Sequence, residues 1–112
     1  MIISVTGLRT HNLWGRLRFY WLAIPAFRQA TLAKGNLFCE TRKIDGVYHT
    51  MTAWKSRKHM KHYVLSGAHR TAMGQFSRFA TGAVHSFESD TIPSWESAVQ
   101  TWREAAASYD TP

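Results

Sequence analysis

The sequence predicts an α+β fold built on one four-stranded antiparallel sheet, and three observations carry that expectation. Asp45-Gly46 stands between two strand-like runs, NLFCETRKI and VYHTMTAW, and is the strongest hairpin signal in the chain. A β-branched run, IISVTGL, opens the chain, and a second short run, TGAVHSFE, follows its middle. Between these runs, residues 13–34 and 57–79 repeat their apolar side chains at helical spacing. The order is β-α-β-β-α-β with a further helix at the C-terminal end, which is the ferredoxin-like arrangement.

The first strand is expected over residues 2–8. Ile3 and Val5 fall on one face and Ile2 and Leu8 on the other, so the strand reads as central. Gly7 marks a close approach or a bend. A helix over 13–34 follows, with Leu13, Leu17, Tyr20, Trp21, Ile24, Phe27 and Thr31 as its inner stripe and Gly35 as its stop. Pro25 removes a hydrogen bond from that helix and is expected to kink or break it near Ala23–Ile24. Arg16, Arg18 and Arg28 alternate with Trp14, Phe19 and Trp21. That pattern suits either a helix lying on a membrane or a core helix with snorkelling arginines, and the second is the expectation for a chain this short.

Strands over 36–44 and 47–54 form the hairpin. In the second, Val47, His49, Met51 and Ala53 share one face, and Tyr48, Thr50, Thr52 and Trp54 share the other. Ser56 caps a helix over 57–65 with Met60, Tyr63 and Val64 inward. After Ser66-Gly67 a helix is expected over 68–79, then a strand over 81–88. Ser94 caps a last helix over 95–106, with Trp95, Ala98, Val99 and Trp102 inward and Glu96 in its first turn. If the helices cover one side of the sheet, the other side carries Tyr48 and Trp54 uncovered. That predicts a homodimer in which two sheets stack into a dimeric α/β barrel with a cavity in each half.

Composition narrows the function. The chain is 112 residues, 45% hydrophobic and 13% aromatic, which fits one folded domain and argues against disorder. The longest apolar run, Phe19 to Phe27, is too short to span a bilayer, and Arg9, Arg16 and Arg18 interrupt any secretory signal. The single Cys39 excludes an internal disulfide and fits a reducing cytoplasm, with the thiol buried and inert. The net charge is +7, unevenly placed. All the lysines and arginines but Arg103 precede residue 80, whereas Glu88, Asp90, Glu96, Glu104 and Asp110 follow it. No helix-turn-helix, zinc or RNA-binding signature accompanies the charge, so nucleic acid is not an expected partner. His59 and His62 have metal-compatible spacing, but Lys55, Arg57, Lys58 and Lys61 would repel a cation, and no metal is expected.

The stretch from Tyr48 to Met73 resembles the antibiotic biosynthesis monooxygenase-like group of the dimeric α/β-barrel superfamily. The shared features are a strand ending in Trp54, then Lys55-Ser56, an apolar-striped helix, and Ser66-Gly67-Ala68-His69-Arg70. Within that group the chain most resembles a bacterial subgroup with spheroidene monooxygenase-like sequences, through Val84-His85 and Pro93-Ser94-Trp95. The resemblance covers residues 47–102 in detail and 1–46 in layout. It implies a cofactor-independent oxygenase of an apolar aromatic or polyene substrate, with a non-catalytic ligand-binding dimer as the alternative. It implies Trp54 as a pocket wall or redox-active side chain. Tyr48, Thr50, Thr52, Met73 and His85 are the expected ligand-binding residues. His69 and Arg70 open a helix, where the helix N-terminus and the guanidinium would favour a substrate anion and His69 would serve as base. The other role open to Arg70 is a pair with Glu88 or Asp90. Met73 stands where the haem degraders of the superfamily have their haem-ligating histidine, so haem is disfavoured and no cofactor is expected.

Overall fold

The computed structural model describes residues 1–10, 13–67, 69–70 and 80–110; of residues 13, 80, 81 and 106–110 it describes the backbone only. The elements are β1 (Ile2–Thr10), α1 (Leu13–Leu32), β2 (Asn36–Ile44), β3 (Val47–Trp54), α2 (Arg57–Val64), β4 (Ala80–Glu88) and α3 (Trp95–Asp110). The helix expected over 68–79 falls mostly outside the described residues. The strands form one antiparallel sheet in the order β2-β3-β1-β4, which is the ferredoxin-like order.

Local chemistry accounts for the boundaries. Asp45 and Gly46 both take positive φ (51° and 77°), as a two-residue hairpin turn requires, and β2 and β3 match their expected limits. Gly35, at φ 85°, ends α1 and its carbonyl accepts from the Lys55 amide. Ser56 caps α2 by accepting from the His59 amide, and Ser94 caps α3 by accepting from the Ser97 amide. α1 runs unbroken through Pro25, so of the kink or break expected there the break does not occur. Both Pro25 and Trp21, whose carbonyl loses its helical partner, face solvent, so water can take up that carbonyl.

Both faces of the sheet are covered. On one, α3 places Trp95, Ala98 and Val99 on Ile3, Val5, Met51 and Ala53. On the other, α1 and α2 place Ala30 and Tyr63 on Ile2 and Trp54. The expectation that Trp54 sits on an open face is therefore corrected: Trp54 is 0% exposed and lies beneath α1 and α2. Alternation along β3 sorts residues into two faces but does not say which helices each face meets. The C-terminal helix packs on the face opposite α1 and α2.

The inner stripe of α1 is also not the expected one. Ala26 and Ala30 are buried, whereas Leu17, Tyr20, Trp21 and Ile24 are exposed. Trp54 and Tyr63 fill the space beneath α1, and only small side chains let the helix backbone approach them. Gly7 confirms the close approach expected of it: a β-carbon there would fall inside the Trp102 indole.

His49 anchors the α3 face. It is buried, its Nδ1 lies 3.2 Å from the Thr6 carbonyl, and its ring meets Trp102 edge-on. Burial holds its pKa below the ordinary 6.5, outweighing the Thr6 bond that acts the other way, and nearby Arg103 lowers it further. His69, on the opposite face, is also held low, first by burial. A folded chain that resists protonation while the unfolded chain accepts it loses stability as pH falls below the unfolded pKa. Thermal melts are therefore expected to show the melting temperature falling between about pH 7 and pH 5. His49→Gln should flatten that slope; an unchanged slope would assign the loss elsewhere.

Candidate functional site

The residues of β3 that share a face with Trp54 look toward α1 and α2, and so do their neighbours across the sheet. Thr50 pairs with Thr6 on β1 and Thr41 on β2, and Thr52 pairs with Ser4 and Cys39. Ser4 in turn pairs with Ser86, whose hydroxyl donates to the Ser4 hydroxyl at 3.3 Å and lies 3.7 Å from the Met60 sulfur. The floor beneath the helices is thus a patchwork of hydroxyls rather than the aliphatic carpet of the α3 side. It is not sealed: Ser4, Thr6, Thr50 and Ser86 are half-buried, and Val84 beside Thr6 is 52% exposed.

One end of this floor is closed by a ladder of rings. Trp54 donates from Nε1 to the Thr52 hydroxyl at 2.9 Å, so the indole is fixed in plane and the Thr52 hydroxyl is engaged. Tyr63 of α2 stacks on Trp54, with ring centres 5.0 Å apart at 24°. Its phenol donates to the Ala26 carbonyl of α1, and burial pushes its pKa well up, so it stays protonated. His69 leans on the outer side of Tyr63 at 4.7 Å.

His69 is held from two sides. Its amide donates to Oε1 of Gln29 on α1, whose Nε2 donates to the Ser66 carbonyl at the end of α2. Gly67, at φ 56°, makes the turn that packs against the same Gln29 side chain. Nδ1 of His69 lies 3.1 Å from the Val64 carbonyl. A carbonyl can only accept, so Nδ1 carries the proton and the neutral ring keeps its lone pair on Nε2. With the pKa held low by burial, the ring is neutral near pH 7 and able to take a proton. Arg70, next along, is exposed and pairs with neither Glu88 nor Asp90; the two ion pairs among the described residues are Arg42–Glu40 and Arg103–Asp45.

The other end is a second aromatic group. Tyr48 packs against Phe19 at 4.6 Å and Tyr20 at 5.6 Å, the two phenols meet at 3.4 Å, and the Lys43 ammonium lies over the Tyr48 ring. Tyr48 and Trp54 are six residues apart on one strand, or roughly 20 Å. They bound the hydroxyl floor from opposite ends and do not form one contact site.

Two expected site residues part from the rest. His85 pairs with Val5, so strand alternation puts it on the α3 face, where it stacks with Phe87. Ser86, one residue on, is the one that faces Trp54's side. Met73 lies outside the described residues. Among residues that sequence reasoning did not assign to the site, Ser4, Thr6 and Ser86 carried a signal in the alternation of small hydroxyls with aliphatics. Gln29, a lone amide in an apolar helix, carried none. Cys39 is half-buried beside Trp54, and desolvation raises its thiol pKa to about 11, so it stays a neutral thiol. His59 is engaged by the cap, with Nδ1 2.8 Å from the Ser56 hydroxyl.

No protein-family model and no curated protein matches the sequence. Solved structures do match the fold. Rv0793 from Mycobacterium tuberculosis superposes with a TM-score of 0.72 at 13% identity, over 84% of this chain and 100% of its own. SnoaB, a cofactor-independent oxygenase from Streptomyces nogalater, gives 0.65 at 12% identity, over 83% and 97%. An antibiotic biosynthesis monooxygenase gives 0.69 at 10% identity, over 83% and 100%. The chain therefore has the fold of antibiotic biosynthesis monooxygenase-like proteins.

Proposed function

We propose that this chain is a monooxygenase-like protein that takes an electron-rich aromatic or polyene molecule onto the hydroxyl floor between the sheet and α1/α2, with no cofactor. The observation that carries the reading is the neutral, oriented His69 on the outer side of the Tyr63 ring. The fold shared with a cofactor-independent oxygenase supports it. Such a reaction draws its electrons from the substrate. A base removes a proton from a phenol or an activated carbon, and the resulting anion gives one electron to oxygen. The two radicals join as a carbon-bound peroxide, and loss of water leaves a carbonyl. One oxygen atom ends in the product and the other in water.

In that scheme His69 Nε2 takes the proton, and the exposed Arg70 guanidinium stabilises the anion it leaves. Thr50 and Thr6 hydroxyls orient the ring, and Tyr48 bounds its far end. Trp54 has no exposed surface, so it acts as a positioning residue behind Tyr63 and Thr52 rather than touching the substrate. The resemblance to the bacterial spheroidene monooxygenase-like subgroup and the cytoplasmic location belong to the same proposal. The homodimer belongs to the same proposal, and the residues named for the site all come from one chain.

The test is turnover of a polycyclic phenol under oxygen, read by product formation and oxygen uptake. His69→Ala is expected to lower kcat by about 100-fold or more with KM little changed, as loss of a general base does. A His69→Ala variant with full turnover would overturn the assignment of the base. The covered Trp54 and the engaged Thr52 hydroxyl favour a second reading, a binding protein without chemistry. Under that reading the phenol binds and no oxygen is consumed.

A further inference from the structure

The outer surface of the α1/α2 layer has a use that the proposed site does not touch. Trp14, Leu17, Trp21 and Ile24 recur at steps of three, four and three along α1, so they form one stripe, opposite the buried Ala26 and Ala30. They are not a folded core: Trp14 is 76% exposed, Trp21 81% and Ile24 65%. Leu32 continues the stripe to the end of the helix, and Leu65 stands out beside it at the end of α2. The two helices are neighbours, joined by the Tyr63–Ala26 and Gln29–Ser66 hydrogen bonds, and both lie on the same face of the sheet. Their solvent sides therefore form one surface.

That surface carries charge of one sign. α1 contains Arg16, Arg18 and Arg28 and no acidic residue; α2 contains Arg57, Lys58 and Lys61 and no acidic residue. Glu96 and Glu104 lie on α3, across the sheet, Glu40 is bonded to Trp95 and Asp45 to Arg103; Glu88, opposite Ile2 at the end of β4, is on the α1/α2 face of the sheet but on neither helix. The outer side of α1 and α2 is thus both basic and apolar.

From this we infer that the α1/α2 surface docks on an anionic lipid bilayer, with Trp14, Leu17, Trp21 and Ile24 entering the headgroup region and Arg28, Arg57, Lys58 and Lys61 meeting the phosphates. Exposed indoles interleaved with cations on one helix suit a bilayer interface, where an apolar body and a polar N–H are both satisfied. A second copy of the chain fits this surface poorly, because its own basic side would face an equally basic one.

Flotation of the full chain with vesicles tests this. Vesicles of equal parts phosphatidylcholine and phosphatidylglycerol are expected to carry the protein up at low salt and to release it at high salt. Pure phosphatidylcholine vesicles should bind at least about tenfold less. Trp14→Ser/Trp21→Ser should weaken binding about tenfold or more at an unchanged melting temperature, since both side chains already face water. Lys58→Glu/Lys61→Glu should weaken it about tenfold through charge alone. Failure to float with the anionic vesicles would overturn the inference. So would unchanged binding of the double tryptophan variant, which would mean attraction by net charge only. A dimer in sedimentation that the tryptophan variant dissolves, with no vesicle binding, would assign the surface to self-association instead.

Discussion

Trp54→Ala is expected to cost about 3–5 kcal/mol of stability, the range for removing a fully buried indole. The indole joins three elements at once. It stacks on Tyr63 of α2, closes over the Thr52 hydroxyl of its own strand, and fills the space that lets α1 approach through Ala30. Removing it leaves a cavity whose walls are a sheet and two helices, and none of these can collapse inward without moving the others. Trp54→Phe should behave differently. A phenyl ring keeps much of the stack but cannot donate to Thr52, whose hydroxyl is then left in a buried site without that partner. The expected cost is about 1–3 kcal/mol, and Trp54→Phe/Thr52→Val should recover part of it, because both members of the lost bond are then apolar. Denaturant melts of the four proteins measure this. If Trp54→Phe were as damaging as Trp54→Ala, the hydrogen bond rather than the stack would be the main contribution. If both were neutral, Trp54 would not be the keystone of this face.

The same tryptophan marks where sequence reasoning stopped. The position of the hairpin follows from Asp45-Gly46, because few residue pairs take positive φ twice, and the limits of β2 and β3 came out as expected. The inner residues of α2 and α3 were legible for a related reason. Each of those helices has one apolar stripe, so Tyr63 and Trp102 had no alternative direction. α1 has two. Its bulky stripe through Leu17, Tyr20, Trp21 and Ile24 reads as the core, yet the helix is held through Ala26 and Ala30. Side-chain size misleads here because the space is already occupied from the other side by Trp54 and Tyr63.

The faces of β3 posed the corresponding problem. Period-two alternation places Trp54 with Thr52 and Thr50, and that grouping is correct. It does not say which group meets α1 and α2, since that depends on where α3 goes. The site was legible in part for the same reason. His69 follows from a local motif, and its orientation by Val64 is only five residues away. Gln29, forty residues distant, holds its backbone, and no local pattern announces that. His85, expected beside a ligand, is one residue along β4 from the face of Trp54, and a single step on a strand reverses everything that the side chain meets.

Gly7→Val should act on the opposite face with a comparable effect. β1 is the strand that both β3 and β4 pair with, and Gly7 is the point where Trp102 of α3 lies directly on its backbone. A side chain there cannot be accommodated by rotating a flexible end, because the displaced group is a rigid indole. Trp102 would have to leave. With it would go its Nε1 bond to the Ala83 carbonyl at 2.9 Å and its edge-on contact with His49. The loss expected is roughly 3 kcal/mol, the scale of displacing a large, half-buried aromatic side chain, with α3 loosened over its second half. The cause is separable from the intrinsic effect of losing a glycine. Gly7→Ala alone should destabilise, whereas Gly7→Ala introduced into Trp102→Ala should be neutral or stabilising, since the clash is gone and alanine is less flexible than glycine in the unfolded chain. The coupling between the two positions, read from a double-mutant cycle of denaturant melts, should therefore exceed about 1 kcal/mol. Additive effects would mean that α3 does not rest on β1 in solution. The sheet face would then be free for another occupant, and the case for a site within a single chain would have to be made again with that face open.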